Sequence, residues 1–141
     1  MRRALSMEQG LANKLERLAG KSTLRLTHRG RHSGRPYEVT IWFMVEGETI
    51  YLPTANLRRQ WPRNVKANPQ VSLKIGNETL SGTAEFITDR TERDHARALV
   101  ERKYWYTVPV LWSMQLLAAV GIVQDWSGYF RVHLETAPRT A

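Results

Sequence analysis

The chain has 141 residues, 42% of them apolar and 24% charged, which fits one folded domain and excludes both a disordered chain and two ordinary domains. It contains no cysteine, so disulfides, thiolate metal sites and a cysteine nucleophile are excluded. A net charge of +8 favours a polyanion: nucleic acid, an anionic membrane surface, or a phosphorylated or polycarboxylated cofactor. The basic start MRRALSMEQG lacks the apolar core of a signal peptide, so a cytoplasmic protein is expected.

From Ser6 to Leu18, Met7, Leu11, Leu15 and Leu18 recur at helical spacing, with Ser6 as the expected N-cap and Gly20 as the stop. STLRLTH alternates and predicts a first strand. After an Arg/Gly turn, YEVTIWFMVE is rich in β-branched and aromatic residues and predicts one returning strand. EGE turns the chain into TIYLPT, a third strand. A polar connection, ANLRRQ, leads to WPRNVKANP, a short helix with Pro62 in its first turn, ended by Asn68-Pro69.

Val71, Leu73 and Ile75 alternate with polar residues in a fourth strand, and TLSGTAEFI predicts a fifth, its Gly82 marking a bulge. TDRTERDHARALVERK reads as a capped amphipathic helix and SGYFRVHLE as a sixth strand. Six short strands and three helices predict an α+β domain around a small antiparallel barrel, whose closure would remove exposed edges. Residues 108–123 carry no charge and are too few to span a membrane. Flanked by Trp105 and Trp126 and containing Trp112, they are consistent with a buried or dimer-interface helix, a flap over a pocket, or a peripheral membrane contact.

The four histidines lack metal-ligand spacing, and no nucleophile elbow, P-loop or dinucleotide fingerprint is present. What remains is RGRHSGRP, residues 29–36. Its glycines permit a tight fold-back, its arginines offer forks that grip phosphate, and Ser33 adds a hydroxyl. A phosphate cup and a solvated basic hairpin both fit. Downstream, Arg58, Arg59, Arg63 and Lys66 surround Trp61 near a helix start, and the two cationic segments could face one another across a groove. Nucleic acid is disfavoured, because the cations gather in two loops rather than along a face interleaved with aromatics.

LTHRGRHSGRPYEVTIWF and WPRNVKANPQVSL, in this order, resemble the flavin/deazaflavin oxidoreductases with a split β-barrel, in particular the deazaflavin-dependent nitroreductase branch. The resemblance implies a split barrel of the FMN-binding kind, a homodimer, and coenzyme F-420 in a groove along the barrel. Arg31, His32 and Ser33 would then meet the phosphate or acidic tail, with Trp61 and Asn64 closing that side and Arg58 supplying charge. Val39, Thr40 and Ile41 would line the tricyclic ring, with Pro53, Thr54 and Ala55 beside it.

Hydride transfer from the reduced cofactor to a small or lipophilic quinone, nitroaromatic or enone is the implied chemistry. Tyr104, Tyr106 and Thr54 are the implied catalytic positions, a tyrosine hydroxyl donating to the reduced substrate. His32 stands where that branch carries lysine, and PTANLRRQ is shorter than its glycine-rich loop, so FMN is the alternative cofactor. An FMN-binding split-barrel reductase or oxidase, or a non-catalytic cofactor-binding or nucleic-acid-binding module, is the alternative function.

Overall fold

The first helix, α1, runs Arg2–Leu18 and lays Leu11, Leu15 and Leu18 on the core. Ser6 lies inside it rather than at its cap, because the helix begins at Arg2, ahead of the Met7 start that its apolar spacing predicts. The computed structural model describes residues 2–54, 57, 59–104 and 128–135, with the backbone alone for 2–9. The uncharged stretch 108–123, Trp105, Tyr106, Ala55 and Arg58 lie outside the described residues. Among the described residues, no helix is long and apolar enough to cross a membrane.

Then follow β1 (Leu24–Arg29), β2 (Pro36–Ile41), β3 (Met44–Glu46), β4 (Thr49–Thr54), α2 (Gln60–Ala67), β5 (Gln70–Ile75), β6 (Glu78–Phe86), α3 (Arg90–Lys103) and β7 (Gly128–Leu134). The strands form one antiparallel sheet in the order β2-β1-β5-β6-β7-β4-β3, a curled, split-barrel sheet. Its inner face carries Leu24, Leu26, Ile50, Leu52, Leu73, Ile75, Phe130 and Val132, with Leu15 of α1 and Trp61 and Val65 of α2 packed on them. Its outer face packs Tyr51 and Tyr129 under α3, against Ala96, Leu99 and Val100. Arg131 of β7 ties α3 down further, donating to Glu92 of that helix and to Glu85 of β6.

Residues 37–46, expected as one strand, are two. β2 lies beside β1 at one edge of the sheet and β3 beside β4 at the other, with the break at Trp42–Phe43. Side-chain alternation persists through the break: Ile41, Phe43 and Val45 face the inner core, while Trp42 and Met44 face the outer cluster. What changes is the backbone's partners. As the chain crosses from edge to edge, the end of α3 takes over from a flanking strand. The Phe43 N–H donates to the Tyr104 hydroxyl (3.2 Å), and the Phe43 carbonyl accepts from Lys103 Nζ (2.8 Å). The two edge strands are thus halves of one bent segment, so the barrel is closed by covalent continuity at that corner.

Gly82 marks no bulge. The β5–β6 ladder runs through it in register with Val71, and the β6–β7 ladder begins at its pairing with Leu134. A Cβ there would lie 2.6 Å from the His133 carbonyl oxygen, so glycine serves the close approach of two backbones.

Candidate functional site

The β1–β2 connection is a self-bonded turn. Gly30 N–H donates to the Arg35 carbonyl (2.8 Å), Gly34 N–H to the Gly30 carbonyl (2.9 Å), and Arg35 N–H to Ser33 Oγ (3.2 Å). Gly34 sits at φ 72°, where a side chain would strain the backbone. At Gly30 a Cβ would meet Ser33 Oγ at 2.7 Å and Tyr37 at 3.0 Å. Much of the turn's amide capacity is therefore spent internally, and what it offers outward is chiefly side chains.

This turn faces the start of α2 across a groove of about 970 Å³. His28 of β1, the turn from Gly30 to Ser33, and Tyr37, Glu38 and Val39 of β2 form one wall. Arg59, Gln60, Trp61 and Asn64 form the other. Trp61 is buried and packs against Phe130, which seats α2 on the barrel. Arg59 is the N-cap of α2 and supplies no side-chain cap, and it lines the groove together with Gln60.

Asn64 organises the interior. Its Oδ1 accepts from the Arg31 backbone N–H (3.1 Å) and from Arg31 Nη1 (2.8 Å). Since Oδ1 accepts from Arg31, Nδ2 is the donor to His28 Nδ1 (3.2 Å), and that orients the amide unambiguously. His28 Nδ1 must then carry the lone pair and Nε2 the proton. His28 is 4% exposed, and burial lowers its pKa below the usual histidine value, so the ring is neutral. Tyr37 stacks on it at 5.9 Å.

The groove is cationic because its charges lack partners. Arg31 Nη1 donates to Gln60 Oε1 (2.8 Å) as well as to Asn64, and both acceptors are neutral amides. The guanidinium is oriented without being neutralised. Among the described residues, Arg59 of the facing wall forms no ion pair, and neither do Arg29, Arg35 and Arg63, which do not line the groove. Glu38, the carboxylate on the wall, is engaged by Arg25 (3.2 Å).

Of the residues singled out in the sequence, Arg31, His32, Ser33, Val39, Trp61 and Asn64 come together here. Thr40 is exposed on β2, and Ile41 packs against the inner core. Pro53 and Thr54 are buried at the end of β4, paired with Tyr129 and Gly128. Tyr104 is not on the groove wall. It is 1% exposed, stacked on Trp42 with ring centres 4.0 Å apart, and its hydroxyl donates to the Ser22 carbonyl (2.7 Å). Sequence reasoning does not place His28, Tyr37 or Gln60 at the site. His28 is accessible to it, since it shares the inward face of β1 with Leu24 and Leu26.

A curled antiparallel sheet of this strand order, with helices on both faces, has the split-barrel fold. The chain belongs to the F420H(2)-dependent quinone reductase family, whose profile matches residues 1–119. Membership makes it a deazaflavin-dependent reductase with coenzyme F-420 as cofactor. Among solved structures it is similar to an F420-H2 dependent reductase, at 21% identity over 79% of this chain and 94% of that one, with a TM-score of 0.59. It is also similar to a protein described as a domain-swapped dimer, at 23% identity over 79% of this chain and 80% of that one, TM-score 0.60. A candidate 5-nitroimidazole antibiotic resistance protein from Bacteroides thetaiotaomicron matches at 16% identity over 87% of this chain and 79% of that one, TM-score 0.60.

The groove suits such a cofactor, whose phosphodiester and carboxylates are anionic. An oriented, uncompensated Arg31 and, on the facing wall, an Arg59 without an ion pair are complementary to those groups.

Proposed function

We propose that the groove holds F-420 with its phosphate toward Arg31, His32 and Ser33, and that the protein reduces small or lipophilic electron-poor compounds of the quinone, nitroaromatic or enone type. The observation that carries this reading is the Arg31 guanidinium, held by the neutral amides of Gln60 and Asn64 and, among the described residues, in no ion pair. A permanent cation kept in a partly buried place without a counter-charge is costly unless an anion completes it. When bound, the reduced deazaflavin supplies the hydride.

The chain's own contribution is positional. Arg31 and Asn64 lock the turn to α2, Val39 and Trp61 present apolar surface, and the filled groove excludes water. Thr40, Ile41, Pro53 and Thr54, with Ala55 and Tyr106, are assigned to the ring and substrate side of the same reading, and Arg58 to the charge of the tail side. Tyr104 is assigned to holding the Phe43 corner. The quinone class is favoured by the family's own activity, and the nitroaromatic class by the resistance protein of similar fold. A homodimer is proposed on the likeness to a domain-swapped dimer, and peripheral membrane contact would fall to the uncharged residues 108–123.

The test is a fluorescence titration of the purified protein with F-420 and with FMN, followed by anaerobic turnover of reduced F-420 with menadione, a nitroimidazole and cyclohexenone. Micromolar F-420 binding with oxidation by at least one acceptor is expected. Preference for FMN, or no binding of either, overturns the reading.

A further inference from the structure

We propose that His28 is a ligand-contacting residue of this groove, giving its Nε2–H to a phosphate oxygen of the bound molecule, and that Asn64 is the positioning residue that holds His28 in the donating tautomer. The inference rests on the reading that F-420 occupies the groove, and it concerns a residue that reading does not use.

It follows from the direction of the hydrogen bonds around Asn64. Asn64 Oδ1 and Gln60 Oε1, the side-chain amide oxygens at this end of the groove, are both taken by Arg31. Ser33 Oγ accepts from Arg35 N–H, which turns its own proton outward. His28 Nδ1 accepts from Asn64, which leaves Nε2–H as the imidazole's open group. Arg31 retains its Nε and Nη2 protons after Nη1 is spent on Asn64 and Gln60. The groups left for a ligand are thus donors: Nε2–H of His28, the remaining guanidinium protons, the Ser33 hydroxyl and the Gln60 amide nitrogen. A group made only of acceptors matches that set, and a phosphate is such a group.

His28 suits the role for two further reasons. Burial under Tyr37 keeps it neutral, so it adds a directed donor without adding to the crowded positive charge of the turn. Its place on the inward face of β1, bonded to α2 through Asn64, fixes the ring on regular structure rather than on the turn itself.

The imidazole nitrogens of the ¹⁵N-labelled protein report the tautomer directly. His28 is expected to show an unprotonated Nδ1 and a protonated Nε2 in the free protein, and addition of F-420 should shift Nε2 and slow exchange of its proton. His28→Asn keeps an acceptor for Asn64 near the Nδ1 position but has nothing at Nε2. It should bind F-420 weaker on the order of tenfold, and bind the deazaflavin riboside lacking phosphate and tail as the wild type does. His28→Gln, which returns an N–H near the Nε2 position, should recover part of the loss.

A proton on Nδ1, unchanged F-420 affinity in His28→Asn, or equal weakening for the riboside overturns the proposal. Because the tautomer is read in the wild type, that test holds even where a variant does not fold. If the wild type binds no F-420 but inorganic phosphate still shifts His28 Nε2, the occupant is wrong and the donor stands. If neither ligand moves it, both fall.

Discussion

One oxygen of Asn64 accepts both the backbone N–H and the guanidinium Nη1 of Arg31, at 3.1 and 2.8 Å, across 33 residues of chain. This pair of hydrogen bonds joins the basic hairpin to α2, and it aims the arginine before any ligand arrives. Asn64→Ala would leave two donors of Arg31 and the acceptor of His28 without their partner, in a place where Asn64 itself is only 4% exposed. A loss of about 1–3 kcal/mol in unfolding free energy is expected, readable by urea denaturation, together with weaker F-420 binding. A variant as stable as the wild type would mean that the network does not support the fold.

Arg31 supplies charge as well as geometry, and two substitutions separate them. Arg31→Gln removes both and should weaken F-420 by roughly ten- to a hundredfold, the range of a charge-assisted hydrogen bond. Arg31→Lys keeps the charge but loses the fork that spans Gln60 and Asn64, so it should recover only part of that affinity. Full recovery by lysine would assign the effect to charge alone.

The unpaired cations of the groove predict a salt-dependent affinity. The screening length falls from about 10 Å at 0.1 M to about 3 Å at 1 M, so contacts at the exposed rim, such as Arg59, weaken more than the inner Arg31. F-420, with a phosphodiester and several carboxylates, should lose more affinity over this range than FMN. Equal slopes for the two in parallel fluorescence titrations would remove the acidic tail from the groove.

Much of the fold is legible because its strands alternate. Leu24, Leu26 and His28, or Val71, Leu73 and Ile75, declare an inward face within six residues. The break at Trp42–Phe43 is not legible, since alternation continues through it unchanged. Its cause is a set of hydrogen bonds from Tyr104 and Lys103, some sixty positions along the chain. At the site, the basic turn announces itself by composition and by its motif. That Arg31 is oriented by amides while Glu38 is engaged by Arg25 is a matter of tertiary pairing, which spacing does not encode. His28 is hidden because a histidine among arginines reads as one more surface cation. The packing of Tyr37 and the bond from Asn64 make it the neutral member of the group.

That neutrality has a consequence for stability. The His28 pKa is lowered in the folded protein by burial, so below about 6.5 the unfolded chain binds a proton that the folded one resists. Tyr37 covers the ring, and Asn64, itself held by Arg31, donates to its Nδ1. Stability should therefore fall as pH drops from about 6.5, and His28→Asn should flatten that part of the curve. Thermal melts of both proteins between pH 5 and 8 provide the check, and parallel curves would show that His28 takes up its proton equally in the folded and the unfolded chain.

Lys103 predicts the opposite end of the pH range. Burial lowers the pKa of its amine from 10.5 to about 8, where it donates to the Phe43 carbonyl and lies 3.6 Å from the centre of the Phe43 ring. Between about 8 and 10.5 the unfolded chain holds a proton that the folded chain has released, so this group makes stability rise with pH across that window. Lys103→Met should remove the rise, and a variant whose melting temperature keeps the same slope would return the amine to an ordinary pKa.

Tyr104 decides between two roles for the end of α3. Its hydroxyl donates to the Ser22 carbonyl at 2.7 Å and accepts from the Phe43 N–H at 3.2 Å, so it ties the entry to β1, the β2–β3 corner and α3 at one point. Tyr104→Phe keeps the ring on Trp42 and deletes the hydroxyl with its bonds, leaving a buried backbone N–H at Phe43 without its partner. A loss of about 1–3 kcal/mol is expected, the desolvation cost of such a group, with kcat for quinone reduction close to wild type. A hydroxyl that instead donates to the substrate would produce the reverse pattern, an unchanged melting temperature and a kcat lower by about a hundredfold or more, the usual worth of a general acid. Denaturation and steady-state turnover on the same preparation separate the two. The hydrogen bonds already made by the hydroxyl favour the first outcome, because serving a substrate would require breaking the contact to Ser22 that holds the corner closed.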